Sequence, residues 1–214
     1  MLRQDRAEGA LEAFIEAVRS SPHNLVSRCA LGELETRHLP ESVALARLLP
    51  PGPAELVDIG TGGGFPGFVI ACLREDFNVT LVEATGKKAR FLEETATRLR
   101  VRARVVNGRI EELGRGVLSQ SFDLATARAV APLRTLVPWA MPVLRPGGQL
   151  FAVKGERWEE EVAEARPALR RAAAEIVIVP PVGDEANNVD PPLRLVIIAR
   201  AAAGARPVPP RRHR

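Results

Sequence analysis

The stretch Leu56-Val-Asp-Ile-Gly-Thr-Gly-Gly-Gly-Phe-Pro-Gly67 decides the fold. Its first four residues form a short apolar run that predicts a buried strand, with Asp58 as the only acid near the strand's end. Pro66 is suited to the first turn of a following helix, where a missing N–H has no cost. Strand, glycine turn and helix together predict a parallel sheet that opens a crevice for a nucleotide-like ligand. The glycines predicted to let the backbone approach that ligand are Gly60, Gly62 and Gly64.

The spacing of these glycines narrows the class of ligand. A dinucleotide fingerprint is G-x-G-x-x-G and seats a pyrophosphate on a helix N-terminus. Starting from Gly60 and Gly62, its third glycine would be residue 65, which is a phenylalanine. Phe65 at the helix entrance suits a ligand without a pyrophosphate. The acid-Gly-x-Gly-x-Gly arrangement is similar to motif I of S-adenosylmethionine (SAM) methyltransferases.

A second acid follows at the end of the next predicted strand. Residues 78–83 alternate and end at Glu83, 19 positions after Gly64. A ribose-binding acid is expected about 20 residues beyond a glycine turn of this kind. Glu83 is therefore predicted to accept hydrogen bonds from ribose hydroxyls, the alternative being a solvated acid at a strand end.

Composition sets outer limits on the class of protein. The 214 residues, 46% of them hydrophobic, predict one folded domain with a sizeable core. The sequence contains no run of 18 apolar residues, so no membrane span is predicted. Its N-terminal segment is charged and amphipathic, so no secretory signal is predicted. Cys29 and Cys72 lie far apart and lack metal-ligand spacing, so no metal site is predicted. Both cysteines fit a reducing cytoplasm.

Charge is concentrated at the carboxyl terminus. The formal net charge is +4, and four arginines lie within the last ten residues, so the remainder has 26 basic and 26 acidic residues. Residues 203–214 are predicted to be a disordered basic tail that either contacts RNA phosphates or is merely solvated. A nucleic-acid site on the folded body must therefore come from local clustering of charge.

The remaining pattern alternates strands and helices after a helical start. Residues 1–50 are predicted to form a helical N-terminal extension, with helices over 6–20 and 41–49, packed on a main domain of residues 51–202. The predicted fold class is α/β, with a Rossmann-like, mostly parallel seven-stranded sheet and helices on both faces. The last two strands are predicted to include one antiparallel member. Predicted strands are 55–59, 78–83, 102–107, 122–128, 148–154, 175–180 and 193–200, and further predicted helices are 66–75, 86–99, 132–144 and 156–173.

Several motifs occur in the order typical of one family. They are Gly60–Gly67, Leu81-Val-Glu-Ala-Thr-Gly-Lys-Lys-Ala-Arg-Phe-Leu92, Asn107-Gly-Arg-Ile-Glu111, Ala127-Arg-Ala-Val-Ala131 and Ala152-Val-Lys-Gly155. Upstream, Asn24–Ser27 and His38-Leu-Pro-Glu-Ser42 are similar to the family's N-terminal signatures. Over roughly residues 11–200 the chain resembles the RsmG (GidB) family of bacterial 16S ribosomal RNA guanine-N7 methyltransferases.

This resemblance implies a class I SAM-dependent fold and a set of site residues. Methyl transfer from SAM to a guanine N7 in 16S ribosomal RNA or the small-subunit particle is implied, by a cytoplasmic monomer. Arg128 and Lys154 are implied to position the substrate, without a certain catalytic residue. Arg200, where the family commonly has lysine, and the acidic loop 183–192 depart from the family pattern. The cofactor-binding positions expected from the resemblance and the glycine turn are Asp58, Gly60, Gly62, Gly64, Phe65, Glu83, Ile110, Glu111 and Arg128.

Other interpretations stay open from the sequence alone. Lys87, Lys88 and Arg90 are either phosphate contacts or a solvated helix face, and His38 either serves the site or braces the N-terminal helices. A small inventory of three histidines, two cysteines and no tyrosine fits N7 methylation, because N7 carries no proton to remove. The alternative functions are a SAM-dependent methyltransferase of small molecules, a nicotinamide-dependent oxidoreductase and a non-catalytic RNA-binding protein.

Overall fold

The computed structural model describes residues 2–178 and 193–202. Seven strands form one sheet within this part of the chain. They are β1 (Ala54–Ile59), β2 (Phe77–Glu83), β3 (Ala103–Asn107), β4 (Phe122–Arg128), β5 (Leu144–Val153), β6 (Ala174–Ile178) and β7 (Leu195–Arg200). The α-helices are α1 (Leu2–Ser20), α2 (Arg28–Gly32), α3 (Leu39–Leu48), α4 (Gly67–Leu73), α5 (Gly86–Leu99), α6 (Ile110–Leu113), α7 (Leu133–Ala140) and α8 (Trp158–Arg171), and a π-helical turn spans Leu34–His38.

The order of the strands in the sheet determines where the ligand-binding crevice is expected. Across the sheet the order is β3-β2-β1-β4-β5-β7-β6, with β1 to β5 parallel and β7 antiparallel to both of its neighbours. The predicted α/β fold, with a mostly parallel seven-stranded sheet and one antiparallel member, is confirmed. Strand order reverses between β1 and β4, and in open parallel sheets ligands bind outside the carboxyl ends of the strands at such a point.

Two hydrophobic cores lie on opposite faces of the sheet. One packs α1, α3, α4 and α5 against the sheet, and the other packs α7 and α8. Phe14 of α1 is fully buried and stacks on Phe68 of α4, with ring centroids 4.3 Å apart. The helical segment at residues 1–50 thus shares the core of the main domain and is held beside the glycine turn.

The boundaries differ from the sequence-based ones where irregular pairing occurs. The helix predicted over 132–144 ends at Ala140, and β5 begins at Leu144 rather than at residue 148. The register of β5 against β4 shifts between Phe122 and Leu124, so the turn after Leu144 is included in the strand. The short helices α2 and α6 and the π-helical turn were missed. Residues 179 and 180 of the predicted last-but-one strand, the acidic loop and the basic tail lie outside the described residues.

No helix in the described part of the chain is long and apolar enough to cross a membrane.

Candidate active site

A cleft of about 850 Å³ lies at the carboxyl ends of the central strands. The glycine turn forms its floor, the segment after β4 and the end of β5 form one wall, and the N-terminal segment from α2 to α3 forms the other. Its polar and charged lining residues are Ser27, Glu33, Arg37, His38, Glu41, Thr61, Glu83, Lys88, Arg128, Lys154 and Glu161. The cleft therefore brings residues from the N-terminal helices to the point where strand order reverses.

The three glycines of the turn have different surroundings. A Cβ on Gly62 would meet only the Gly60 carbonyl oxygen, at 3.9 Å, so its Cα faces open space. A Cβ on Gly60 would lie 3.0 Å from Val130, and one on Gly64 would lie 2.7 Å from the ring of Phe14. Packing of α1 therefore accounts for the lack of a side chain at Gly64, and the contact of Gly60 and Gly64 with a ligand stays a prediction. Gly62 has φ +58 and faces open space, a geometry that would let a ligand approach its backbone.

Asp58 is fully buried and organises the turn from beneath. Its Oδ2 accepts a hydrogen bond from the Gly67 backbone N–H at 3.0 Å, and its Oδ1 accepts one from the Thr126 hydroxyl at 2.7 Å. Burial raises the pKa of Asp58 to about 6, while hydrogen bonding by the Thr61 and Thr126 hydroxyls and by the Gly67 N–H favours the charged carboxylate and opposes the rise. Asp58 thus joins β1 to the start of α4 and to β4 and is not among the residues that line the cleft. Its predicted part in cofactor binding can act only through the shape of the turn.

Glu83 lies in the cleft at the end of β2. Its Oε2 accepts a hydrogen bond from the Gly62 N–H at 2.9 Å, and its Oε1 accepts one from the Thr85 N–H at 2.7 Å. A carboxylate offers about four acceptor positions, so both oxygens keep a lone pair for ribose hydroxyls. Asn107 at the end of β3 holds this position by donating to the Glu83 carbonyl at 2.8 Å. Sequence reasoning missed this role, although a polar residue at the end of the adjacent strand was a usable signal.

Arg128 joins the end of β4 to the N-terminal helices. Its Nη1 donates to Glu41 Oε2 at 3.2 Å and to His38 Nδ1, and its guanidinium carbon lies 5.6 Å from the centroid of the Phe65 ring. Glu41 Oε1 also accepts from Arg37 Nε at 3.1 Å. The Arg128 side chain is 15% exposed and that of Glu41 is 9% exposed. Desolvation lowers the pKa of Arg128, and the charge of Glu41 opposes this. A nearly buried ion pair therefore connects residues 87 positions apart in the sequence.

His38 is neutral and has one unused ring nitrogen. Because Arg128 donates to Nδ1, Nδ1 is the acceptor and Nε2 carries the hydrogen. Burial, followed by the nearby charge of Arg128, lowers the pKa of His38 to about 4. His38 Nε2 is buried without a hydrogen-bond partner among the described residues. Buried polar groups are nearly always paired, so this N–H, on a side chain that lines the cleft, is available to a ligand.

Lys154 follows β5 and is fixed by neighbouring groups. Its Nζ lies 2.7 Å from Glu161 Oε2 and donates to the Ala131 carbonyl at 2.9 Å. The side chain is only 6% exposed. Glu161 also accepts from the Leu133 N–H at 2.9 Å. These contacts shape the segment after β4, where Ala129 has a left-handed φ of +53, a conformation that costs energy for a residue with a Cβ. Direct RNA contact by Lys154 stays a prediction and would require it to leave Glu161.

The other predicted site residues lie around the cleft. Lys88 lines it, whereas Lys87 and Arg90 line an adjoining groove between α1 and α5. Ile110 is buried at the start of α6, and Glu111 pairs with Arg109 at 3.6 Å; neither lines the cleft. Arg200 Nη1 donates to the Met141 carbonyl at 3.1 Å and so serves packing. Among the residues with described positions, no group of three or more His, Cys, Asp or Glu side chains could hold a metal ion.

Comparison with known proteins assigns the chain that forms this cleft to a family. The model of the family GidB, rRNA small subunit methyltransferase G, matches residues 9–189. This chain belongs to the GidB family. Ribosomal RNA small subunit methyltransferase G of Halorhodospira halophila is 43% identical over 169 residues, covering 78% of this chain and 77% of that protein. The protein of the same name from Mycolicibacterium smegmatis is 38% identical over 200 residues, covering 93% and 84%.

Solved structures agree on the fold. A protein described as a candidate S-adenosyl-L-methionine-dependent methyltransferase from Methanococcus maripaludis aligns with a TM-score of 0.61 at 16% identity, over 79% of this chain and 90% of that one. The chain is therefore a methyltransferase of the GidB family with the fold of the SAM-dependent methyltransferases, and SAM is the cofactor that this fold implies. The residues present fit that cofactor: Gly62 leaves a space that a side chain would fill, and Glu83 presents a carboxylate with lone pairs free for ribose hydroxyls.

Proposed function

We propose that this chain transfers a methyl group from SAM to N7 of a guanine in 16S ribosomal RNA of the small ribosomal subunit. One observation of the cleft carries the choice of N7: three of its acids, Glu33, Glu41 and Glu161, are paired with cations of the protein, and the fourth, Glu83, has its free lone pairs on the side suited to a ribose. The four carboxylates that line it are Glu33, Glu41, Glu83 and Glu161, and each accepts hydrogen bonds from protein donors. His38 accepts through Nδ1 and presents N–H on its other nitrogen, so it is not a base either.

Guanine N7 is the acceptor that needs least from such a site. Its in-plane lone pair can attack directly, whereas an exocyclic amine or a ribose hydroxyl must lose a proton. SAM supplies an electrophilic methyl group on a sulfonium sulfur. The protein then has to hold the guanine in line with that methyl and restrict its motion, which can account for most of the rate acceleration. Arg128, oriented by Glu41 and stacked near Phe65, lies where a substrate base would be held beyond the end of β4.

The product and its pH dependence test this proposal together. Labelled SAM should give methyl transfer to small-subunit particles or naked 16S rRNA and none to a mixture of metabolites. Mass spectrometry should place the methyl on guanine N7. Because neither His38 nor a cleft carboxylate removes a proton, the maximal rate should be flat from neutral to mildly basic pH, above the pKa of about 6 of the structural Asp58. Methyl on N1, N2, a ribose oxygen or a metabolite would refute the assignment, and a steep single-proton limb with chemistry rate-limiting would refute the base-free mechanism.

An exposed row of arginines supports an RNA substrate. Residues 95–110 contain five arginines and no acid. Arg98, Arg100, Arg102 and Arg104, here called the arginine edge, are exposed and make no ion pair within the described residues. They lie at the end of α5, in the connection that follows it and on β3, an edge strand of the sheet, and α5 begins beside the cleft. This is local clustering of positive charge on a body that is neutral overall.

Neutralising the arginine edge should weaken RNA binding through loss of phosphate contacts. For Arg100→Gln/Arg102→Gln/Arg104→Gln we expect a salt dependence of binding that is shallower by about 2 in the slope of log K against log salt. SAM affinity should not change. The matched control is Arg47→Gln/Arg115→Gln/Arg166→Gln, which removes three exposed arginines from other surfaces. Equal slopes for both triple variants in filter-binding titrations would show that the arginine edge is only solvated.

The cellular setting follows from the proposed substrate. We place the activity in the cytoplasm, where 16S rRNA is assembled into particles, and we propose that the chain acts as a monomer.

A further inference from the structure

The unused N–H of His38 has no role in the site as described so far. His38 is 8% exposed, and its Nε2 is buried with no hydrogen-bond partner in the described chain. The ring is held on two sides, by Arg128 at Nδ1 and by Phe65, whose ring centroid is 6.0 Å away. A bracing histidine would be expected to use both nitrogens. A buried donor left unpaired costs free energy comparable to a lost hydrogen bond, so its partner is expected to arrive with a ligand.

The position of His38 distinguishes between the two ligands of the cleft. Glu83, the acid suited to a ribose, ends β2, on the far side of the glycine turn from β4. His38 is bound instead to Arg128, which ends β4 on the opposite side of the point where strand order reverses. The nucleoside part of SAM is expected on the Glu83 side. The Nε2–H of His38 is therefore placed beside the acceptor base.

We propose that His38 Nε2–H donates a hydrogen bond to O6 of the target guanine, which makes His38 a positioning and specificity residue. This inference rests on the proposed function, because it takes guanine N7 as the methyl acceptor. O6 lies next to N7 on the same edge of the base, so a donor fixed at O6 orients that edge while leaving the N7 lone pair free. Adenine presents an N–H donor at this position, so His38 would face donor to donor and reject it.

The surrounding charges keep His38 in the donor form that this role requires. Arg128 occupies Nδ1, so a second proton on the ring would break that contact and place two positive groups together. Glu41 holds Arg128 in turn, with its other oxygen paired to Arg37. A site that hydrogen-bonds a substrate group can reject an analogue lacking that group strongly, since the buried donor is then left unpaired.

A cycle of enzyme and substrate changes tests the contact. The enzymes are wild type, His38→Leu, which removes the donor, and His38→Gln, whose side-chain amide can supply one. The substrates are small-subunit rRNA carrying guanine or 2-aminopurine at the modified position; 2-aminopurine keeps N7 and lacks O6. The wild type should prefer guanine by about 30-fold in kcat/KM, a factor typical of one good base contact. His38→Leu should lose about that factor on guanine and almost nothing on 2-aminopurine.

The remaining outcomes keep this inference separate from the proposed function. His38→Gln should regain part of the preference for guanine, and SAM affinity by calorimetry should be near that of the wild type in both variants. If the product is N7-methylguanine but His38→Leu keeps the full preference for guanine, the O6 contact is wrong and the proposed function stands. If the methylated atom is not guanine N7, the proposed function fails first. Loss of SAM binding in His38→Leu and His38→Gln alike would make His38 a structural brace and overturn the inference.

Discussion

Gly62→Val is expected to abolish SAM binding in a chain that still folds. Gly62 has φ +58, and its Cα faces the open cleft between the carboxylate of Glu83 and the Gly60 carbonyl. A valine side chain there would occupy the space of the ligand. It would also strain the backbone, because a left-handed conformation costs a residue with a Cβ roughly 1–2 kcal/mol. Calorimetry should show affinity reduced by at least about 100-fold, equivalent to about 2.7 kcal/mol.

A control substitution at a second glycine distinguishes backbone strain from obstruction of the cofactor site. Gly147, in the turn within β5, has φ +85 and a Cβ direction free of any atom within 4 Å, but it is not among the residues that line the cleft. Gly147→Val therefore carries a comparable backbone cost without touching the ligand, and it should bind SAM like the wild type. Undiminished affinity in folded Gly62→Val would show that the cofactor lies elsewhere. Equal loss in both variants would attribute the effect to strain.

The fold was predictable because its signals are local. The apolar run before Gly60, the glycine turn and the acid at Glu83 each depend on neighbouring residues, and all three occur as expected. The alternation of strands and helices then leaves few possible sheet topologies. Boundaries were less certain where pairing is irregular. At the start of β5 a register shift draws Leu144 into the sheet, and no local pattern distinguishes that residue from the end of a helix.

The contacts that shape the cleft could not be read from the sequence. Arg128 was singled out, but its pairing with Glu41 spans 87 positions and depends on how α3 packs beside β4. Lys154 is predicted to position the substrate, and its charge is neutralised by Glu161 of α8. The sequence of α8 is that of an ordinary amphipathic surface helix and does not indicate this pairing. The spacing of Gly64 fits the motif, but no local pattern indicates that Phe14, 50 positions earlier, packs against it. Long-range packing supplied the information missing in all three cases.

Arg128→Ala is expected to remove turnover and to destabilise the fold. The substitution removes one of the two arginines that contact the Glu41 carboxylate, which is 9% exposed, so that only Arg37 remains. It also removes the donor to His38 Nδ1. Breaking a buried ion pair by removing one partner costs about 3 kcal/mol, whereas an exposed pair costs little. Arg145→Ala, which breaks the exposed 2.7 Å pair with Asp123, is the control and should change the free energy of unfolding by less than about 1 kcal/mol.

A double variant shows whether Arg128 acts in the reaction or only in the fold. Arg128→Met/Glu41→Leu replaces the pair with apolar side chains of similar volume, a change that is often neutral or stabilising. Chemical denaturation should therefore show most of the stability lost in Arg128→Ala to be restored. Turnover of RNA should remain at least about 100-fold below that of the wild type, because the group that orients His38 and lies beside the acceptor base is missing. Arg128→Lys should also be impaired, since lysine lacks the planar guanidinium that lies over the Phe65 ring. A stable double variant with wild-type turnover would make Arg128 a purely structural residue, and the acceptor base would then have to be held from another wall of the cleft.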